Sequence, residues 1–271
     1  MTSAKVFILG IGAQKSGTTW LEAQLSNADF FSNGGIKEYH VFDMTSEFAR
    51  KTISERISKR CSKGMSMALK PREAMSLAPE IYFDHFDYLY CKDPKISHVG
   101  DITPAYSTLP QETFKIIQDG ILDKGFKIKV VFLMRDPVER VWSQARQRIK
   151  PKTSAADEFS QLRDLYKRKS ATSRTCYEKT SQSIEGIFPV ESIYYGFYEN
   201  LFQQSEIDKL TQFLEAPTLK PNFDERVHAT PKAKKKAKGM EDLLAEIRAY
   251  YEPTYQWAHS RFGKSLPPTW R

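Results

Sequence analysis

The sequence predicts an α/β fold: a single domain over residues 1–271, with a mostly parallel central sheet, helices on both faces and a P-loop-like phosphate-binding loop. Two stretches carry that expectation. Val6–Leu9 is an apolar run of buried-strand length, followed by Gly10 and Gly12 and then by Trp20, Leu21, Gln24 and Leu25 at helical spacing. Lys127–Met134 (KIKVVFLM) is a clearer strand. It ends at Arg135-Asp136-Pro137 and leads into a helix with the stripe Val138, Val141, Trp142, Ala145 and Ile149. Strands of a parallel sheet are buried on both faces, so they read as continuous apolar runs. A chain of 271 residues suits one large α/β domain or two small ones and can bury a proper core.

The first strand-to-helix turn reads Gln14-Lys15-Ser16-Gly17-Thr18-Thr19 before Trp20. Strand, glycine-bearing loop and helix start together make an anion site. Free amide N–H groups converge there, the helix dipole adds positive potential, and Lys15 supplies a full charge. A nucleotide-triphosphate loop needs Gly-x-x-x-x-Gly-Lys-Ser/Thr. Gly12 and Gly17 have that spacing, but Thr18 stands where the lysine should be, and the lysine lies inside the loop at position 15. A cation there sits beside the first phosphate, which points to a 5′-phosphate carrying one short group. An ordinary glycine-containing turn satisfies the spacing as well.

Gly34-Gly35 marks a turn before Ile36-Lys37-Glu38-Tyr39-His40-Val41-Phe42-Asp43. If extended, this segment puts Glu38 and His40 on one face beside Lys37, and Tyr39 and Val41 on the other. A carboxylate and an imidazole so placed can take a proton from a hydroxyl. A surface Lys-Glu pair beside a buried, hydrogen-bonded histidine is the plainer alternative. From about 44 to 98 the chain reads as helices around Phe48, Ile53 and Ile57 and from Ala74 to Tyr90, and as a possible substrate-facing insertion. Asp84, His85 and Asp87 lack metal-ligand spacing and are assigned to surface and core packing. Val99–Ser107 is a short strand turning at Pro104, and Pro110 starts a helix through about Gln118. Arg135, at a strand's C-terminal end, could clasp a second phosphate bidentately, with Ser143 donating a hydroxyl. Arg135 could equally pair with Asp136 or another carboxylate as a structural turn. Beyond it, Thr153–Thr180 reads as basic and helical, Glu191–Phe197 as a strand, and Tyr198–Leu214 as a helix with Ser205 as its cap. Met240, Leu243, Leu244 and Ile247 form a closing amphipathic helix that ends before Pro253, with Tyr255, Trp257 and Phe262 as core.

Composition narrows the function classes. Hydrophobic content is 40% and no apolar stretch approaches the roughly 20 residues of a membrane span. A first strand by about residue 6 leaves no room for a signal peptide. Cys61, Cys91 and Cys176 are few, odd in number and widely spaced, which argues against a disulfide framework or zinc site and for a reducing, cytoplasmic compartment. The net charge of +8 suits an anionic cofactor without requiring one.

Two phosphate sites at two strand ends imply a ligand phosphorylated in two places. AQKSGTTW resembles the 5′-phosphosulfate loop of sulfotransferases that use 3′-phosphoadenosine 5′-phosphosulfate (PAPS), and RDPVERVWS resembles their 3′-phosphate motif. KEYHVFD is similar to the Lys-Glu-x-His-Phe-Phe-Asp segment of the heparan-sulfate-type branch, with Val41 replacing a phenylalanine, and DITPAYS is similar to a segment of that branch too. The resemblance implies sulfuryl transfer from PAPS to an acceptor hydroxyl on a sugar, lipid or other small molecule, releasing 3′-phosphoadenosine 5′-phosphate (PAP) and needing no metal. It implies cofactor contacts from Gln14, Lys15, Ser16, Gly17, Thr18, Thr19, Trp20, Arg135 and Ser143. Relatives also place a Lys-Gly-Arg loop over the cofactor where Lys232-Ala233-Lys234 stands here, so Lys232 and Lys234 are carried as cofactor-binding. Lys15 stabilises the leaving phosphate, Glu38 is the base with His40 as its rival, and Lys37 orients or adds charge. The alternatives are a Mg²⁺-dependent nucleotide kinase or hydrolase, which wants a lysine after Gly17, and a nucleic-acid-binding module built on the Lys232–Lys238 run. The latter lacks any nucleic-acid motif, so no nucleic-acid partner is expected.

Overall fold

The computed structural model describes residues 5–43, 47–63, 69–149, 154–224 and 237–271. Among these, strands β1 (Val6–Gly12), β2 (Phe31–Ser32), β3 (His98–Ile102), β4 (Lys127–Met134) and β5 (Ile193–Phe197) form one sheet, ordered β2-β3-β1-β4-β5. Every neighbouring pair is parallel. The helices are α1 (Thr18–Ser26), α2 (Glu47–Cys61), α3 (Pro71–Leu77), α4 (Pro79–Lys92), α5 (Gln111–Asp123) and α6 (Pro137–Gln147). They continue with α7 (Ala155–Leu165), α8 (Lys169–Thr172), α9 (Tyr177–Glu185), α10 (Gln204–Leu214), α11 (Met240–Tyr250) and α12 (Glu252–Phe262).

Because strand side chains alternate between faces, β1 and β4 divide their apolar residues between two cores. Phe7, Leu9 and Ile11 join Val130, Phe132 and Met134 on one face, under α4, α5, α6, α9, α11 and α12. Val6 and Ile8 join Val131 and Leu133 on the other, under Trp20, Leu21 and Leu25 of α1 and Ile207, Leu210 and Leu214 of α10. Both faces are thus covered, as a parallel sheet requires. The chain runs from β1 to β2 and β3 on one side, then crosses to β4 and β5 on the other. The strand order therefore reverses beside β1, and the C-terminal ends of β1 and β4 border the crevice where such sheets bind ligands.

Several local expectations are corrected. The single helix read from Ala74 to Tyr90 is two helices, α3 and α4, broken at Ala78. Pro79 forces the preceding residue into an extended conformation (φ −138°, ψ 92°). The Pro110 helix runs on to Asp123, and Pro110 is its cap rather than its first turn. The stripe expected to reach Ile149 ends with α6 at Gln147. Tyr198–Gln203 is turn, so α10 starts at Gln204 with Gln203, not Ser205, at the cap. After α11 ends before Pro253, a further helix, α12, buries Tyr255 with Trp270 on the sheet.

Candidate active site

The turn leaving β1 has two left-handed residues, Lys15 (φ 73°) and Gly17 (φ 87°). The φ of Gly17 favours glycine, and a Cβ there would also lie 2.5 Å from the Leu201 Cδ2 methyl, which would have to move aside. Gly17 caps α1, with no side-chain cap bond. The first intrahelical bond runs from Leu21 N–H to the Gly17 carbonyl (3.0 Å). The N–H groups of Gly17, Thr18, Thr19 and Trp20 precede it and have no intrahelical acceptor. Ser16 is fully buried, yet its Oγ has no hydrogen-bond partner among the described residues. Trp20 packs between Phe202 and Phe223 in the α1–α10 core, and its Nε1 is likewise unpartnered among those residues.

Arg135 follows β4 directly, which brings it to this turn. Its Nη1 donates to the Lys15 carbonyl (3.4 Å), its Nη2 to Glu139 Oε2 (2.9 Å), and its guanidinium lies 4.3 Å from the centre of the Tyr198 ring. Its buried Nε has no partner among the described residues. Asp136 does not pair with Arg135. It caps α6 by accepting the Glu139 N–H (3.0 Å), and it also accepts the Tyr255 hydroxyl (2.9 Å). The structural pairing open to Arg135 is realised with Glu139 instead, four residues along the helix. Ser143 is buried in the second turn of α6.

Further cations gather here that the sequence reading did not single out. Arg174 donates through Nη1 to Gln14 Oε1 (2.9 Å). Arg146 lies 3.6 Å from Glu158 and 4.0 Å from Glu139. Arg140, wholly buried, is held by Thr175, Gln144 and the Ala171 carbonyl. Burial, followed by repulsion from Arg135, Arg146 and Arg140, holds Lys15 below the usual lysine range. The unpaired amides, the orphaned Ser16 Oγ and Arg135 Nε, and the crowded positive charge form a cradle that a polyanion would complete. Nothing in the run 153–180 marks Arg174 beforehand, since its partner Gln14 is 160 residues away.

The segment 37–43 is not extended. Glu38 and His40 both adopt left-handed φ, 52° each. The face assignment survives by a different route. Tyr39 and Val41 are fully buried, and their N–H groups donate to Asp101 Oδ1 (3.5 Å) and the Tyr106 hydroxyl (3.0 Å) rather than to a strand. Glu38 and His40 then turn outward together. Glu38 Oε2 lies 3.1 Å from His40 Nε2, and Asp43 Oδ2 lies 2.8 Å from His40 Nδ1. The hydrogen bonds that the charged ring donates to Asp43 and Glu38 push the His40 pKa up to about 9. The same His40 bond, opposed by burial, holds the Glu38 carboxyl below its ordinary value.

Asp101, in the DITPAYS segment, anchors this arrangement from beneath. It is wholly buried, accepts from Thr103 (2.6 Å) and Tyr82 (3.0 Å), and is pushed up to about 6 by burial. Burial holds Arg174 below the usual arginine range, and the negative charge of Asp43 opposes that shift. Lys37 is exposed, and its carbonyl accepts from Arg72. The packing roles given to Asp84, His85 and Asp87 hold: Asp84 pairs with Lys124, Asp87 with Lys5, and His85 Nε2 meets the Tyr39 hydroxyl at 2.8 Å. Lys232 and Lys234 lie outside the described residues.

The family model for the sulfotransferase domain matches residues 4–252. The chain belongs to the sulfotransferase family. This sulfotransferase is therefore an enzyme that transfers a sulfuryl group, and its fold matches solved relatives. A sulfotransferase from Alicyclobacillus acidocaldarius is 18% identical, with 99% of each chain covered and a TM-score of 0.61. The sulfotransferase domain of the Synechococcus PCC 7002 olefin synthase is 15% identical, over 97% of this chain and 95% of that one, with a TM-score of 0.53. No curated protein matches the chain. No helix among the described residues is long and apolar enough to cross a membrane.

Proposed function

We propose that the chain moves the sulfuryl group of PAPS to an acceptor hydroxyl, with Glu38 as general base. The observation that carries this reading is the bond from Arg135 Nη1 to the Lys15 carbonyl. It sets two cationic, partly orphaned sites side by side at the ends of β1 and β4, as a ligand phosphorylated at two positions demands. The amides of Gly17–Trp20, with Ser16, Thr18 and Thr19, would hold the 5′-phosphate, and Arg135 with Ser143 the 3′-phosphate. When bound, PAPS supplies an activated sulfuryl group on its 5′-phosphate.

The chain's own residues perform the rest. Glu38 accepts the proton of the attacking hydroxyl as the new O–S bond forms, and Lys15 stabilises the charge left on the phosphate oxygen as the old S–O bond breaks. His40, kept protonated at neutral pH because its ring N–H groups donate to two carboxylates, has no lone pair to offer. It orients Glu38 instead. Assignment to the heparan-type branch rests on KEYHVFD and DITPAYS alone.

Calorimetric titration with PAP in the absence of Mg²⁺, alongside 5′-AMP, tests the reading. Micromolar PAP binding that falls sharply without the 3′-phosphate is the expected result. Equal affinity would break the link between the two sites and favour a nucleotide kinase or hydrolase. Arg135→Ala should weaken PAP by about 10–100-fold, the loss of one charged hydrogen-bonding group of about 1.5–3 kcal/mol. Adenosine 5′-phosphosulfate, which lacks the 3′-phosphate, should weaken much less. Equal weakening of the two ligands would place Arg135 elsewhere.

A further inference from the structure

A second basic concavity adjoins the Glu38 segment. Its volume is about 840 Å³, the size of a small-molecule pocket. Its walls come from α2, from the start of α3 and from residues 35–40. Lys37, Arg56, Lys59, Arg60, Lys70 and Arg72 line it, with Glu73 as the one carboxylate among its lining residues. Six positive charges against one negative leave +5 before His40, which also lines the cleft, is counted.

Glu73 is already satisfied: it accepts from Arg60 Nη2 (2.8 Å) and from the Lys70 N–H (2.9 Å). Among the described residues, Lys37, Arg56, Lys59 and Lys70 have no carboxylate within ion-pair distance, and the buried Nε of Arg60 has no hydrogen-bond partner. Like charges gathered around an open cleft, though partly screened by water, build a positive potential there that attracts an anion. The cleft lies beside the proposed base: Glu38 does not itself line it, but the wall residue His40 hydrogen-bonds Glu38, and the wall residue Arg72 bonds the Lys37 carbonyl next to it. It is a different place from the Lys15–Arg135 cradle, so it does not serve the same phosphates.

We infer that this cleft is the acceptor site and that the acceptor is a small alcohol carrying anionic groups of its own, of phosphate or carboxylate type. The six cations hold those groups while the alcohol oxygen reaches Glu38. This deepens, and rests on, the sulfuryl-transfer reading above. A neutral phenol or steroid-like acceptor could pack on the apolar parts of the wall, among them Ile36 and Pro71, but would leave the excess positive charge without a partner.

The test uses the full chain saturated with PAP, so that the first anion site is filled, and titrates it with pyrophosphate and separately with citrate. Wild type is expected to bind at one site. Arg56→Ala/Lys59→Ala/Lys70→Ala changes three exposed side chains away from the core, and should weaken that binding about tenfold or more, from three partly screened charge contacts. PAP affinity should stay unchanged. Tighter pyrophosphate binding assigns a phosphorylated acceptor, and tighter citrate binding a carboxylated one. Absence of binding in wild type, or equal binding by the triple variant, overturns the acceptor proposal while PAP binding stands. If PAP itself fails to bind, the sulfuryl-transfer reading falls first and takes this one with it.

Discussion

Lys15→Ala is expected to lower kcat by about 10²–10³-fold at saturating PAPS, the loss typical of removing one group that stabilises transition-state charge. The geometry separates this effect from damage to the fold. What ties residue 15 to Arg135 is its backbone carbonyl, which alanine keeps. The left-handed φ of 73° is as uncomfortable for lysine as for alanine, so the substitution adds no new strain. The side chain also sits among cations that depress its pKa, and deleting it relieves repulsion. The melting temperature should therefore hold or rise while kcat collapses. Steady-state kinetics with a thermal melt on the same preparation check both. Near-wild-type kcat would remove Lys15 from the chemistry, and a lowered melting temperature would assign it a structural role.

The parts of the site that were legible in the sequence are those decided by local physics. β1 and β4 are continuous apolar runs ended by glycine or by Arg-Asp-Pro, and a helix start following each strand end places Lys15 and Arg135 without any knowledge of the rest. Where tertiary contacts decide, local reading fails. Glu38 and His40 are left-handed because Asp101 and Tyr106, more than 60 residues away, claim the intervening amides. Period-two alternation reached the correct faces there by an incorrect backbone. Arg146 belongs to α6 and Arg174 to the turn between α8 and α9, and neither stretch carries a mark of which polar residue points at the Lys15 turn. The basic cleft is assembled from two helices and a loop, and each of its lysines looks like an ordinary solvated charge when read alone.

Glu38→Gln is the second large effect: kcat should fall by about 10²–10⁴-fold, the range of a general base, with PAP affinity unchanged. Glutamine keeps the shape and an oxygen facing His40 Nε2 but accepts no proton. His40→Ala should cost less, because it removes the group that orients the carboxylate and leaves the carboxylate itself. If His40→Ala proves the more damaging, the base is the histidine. A readout independent of turnover follows from the charges. His40 titrates at about 9 because it lies between Asp43 and Glu38, above an unfolded value of about 6.5. It therefore contributes stability that is fully present below about pH 6.5 and is lost as the pH rises through about 9. In Glu38→Gln one of the two carboxylates is gone, so the imidazole pKa should drop and the stability loss should begin at lower pH. Following the His40 ring by NMR in both proteins measures this directly. An unmoved titration would mean that the Glu38–His40 contact does not form in solution, and would leave the base without the partner that orients it.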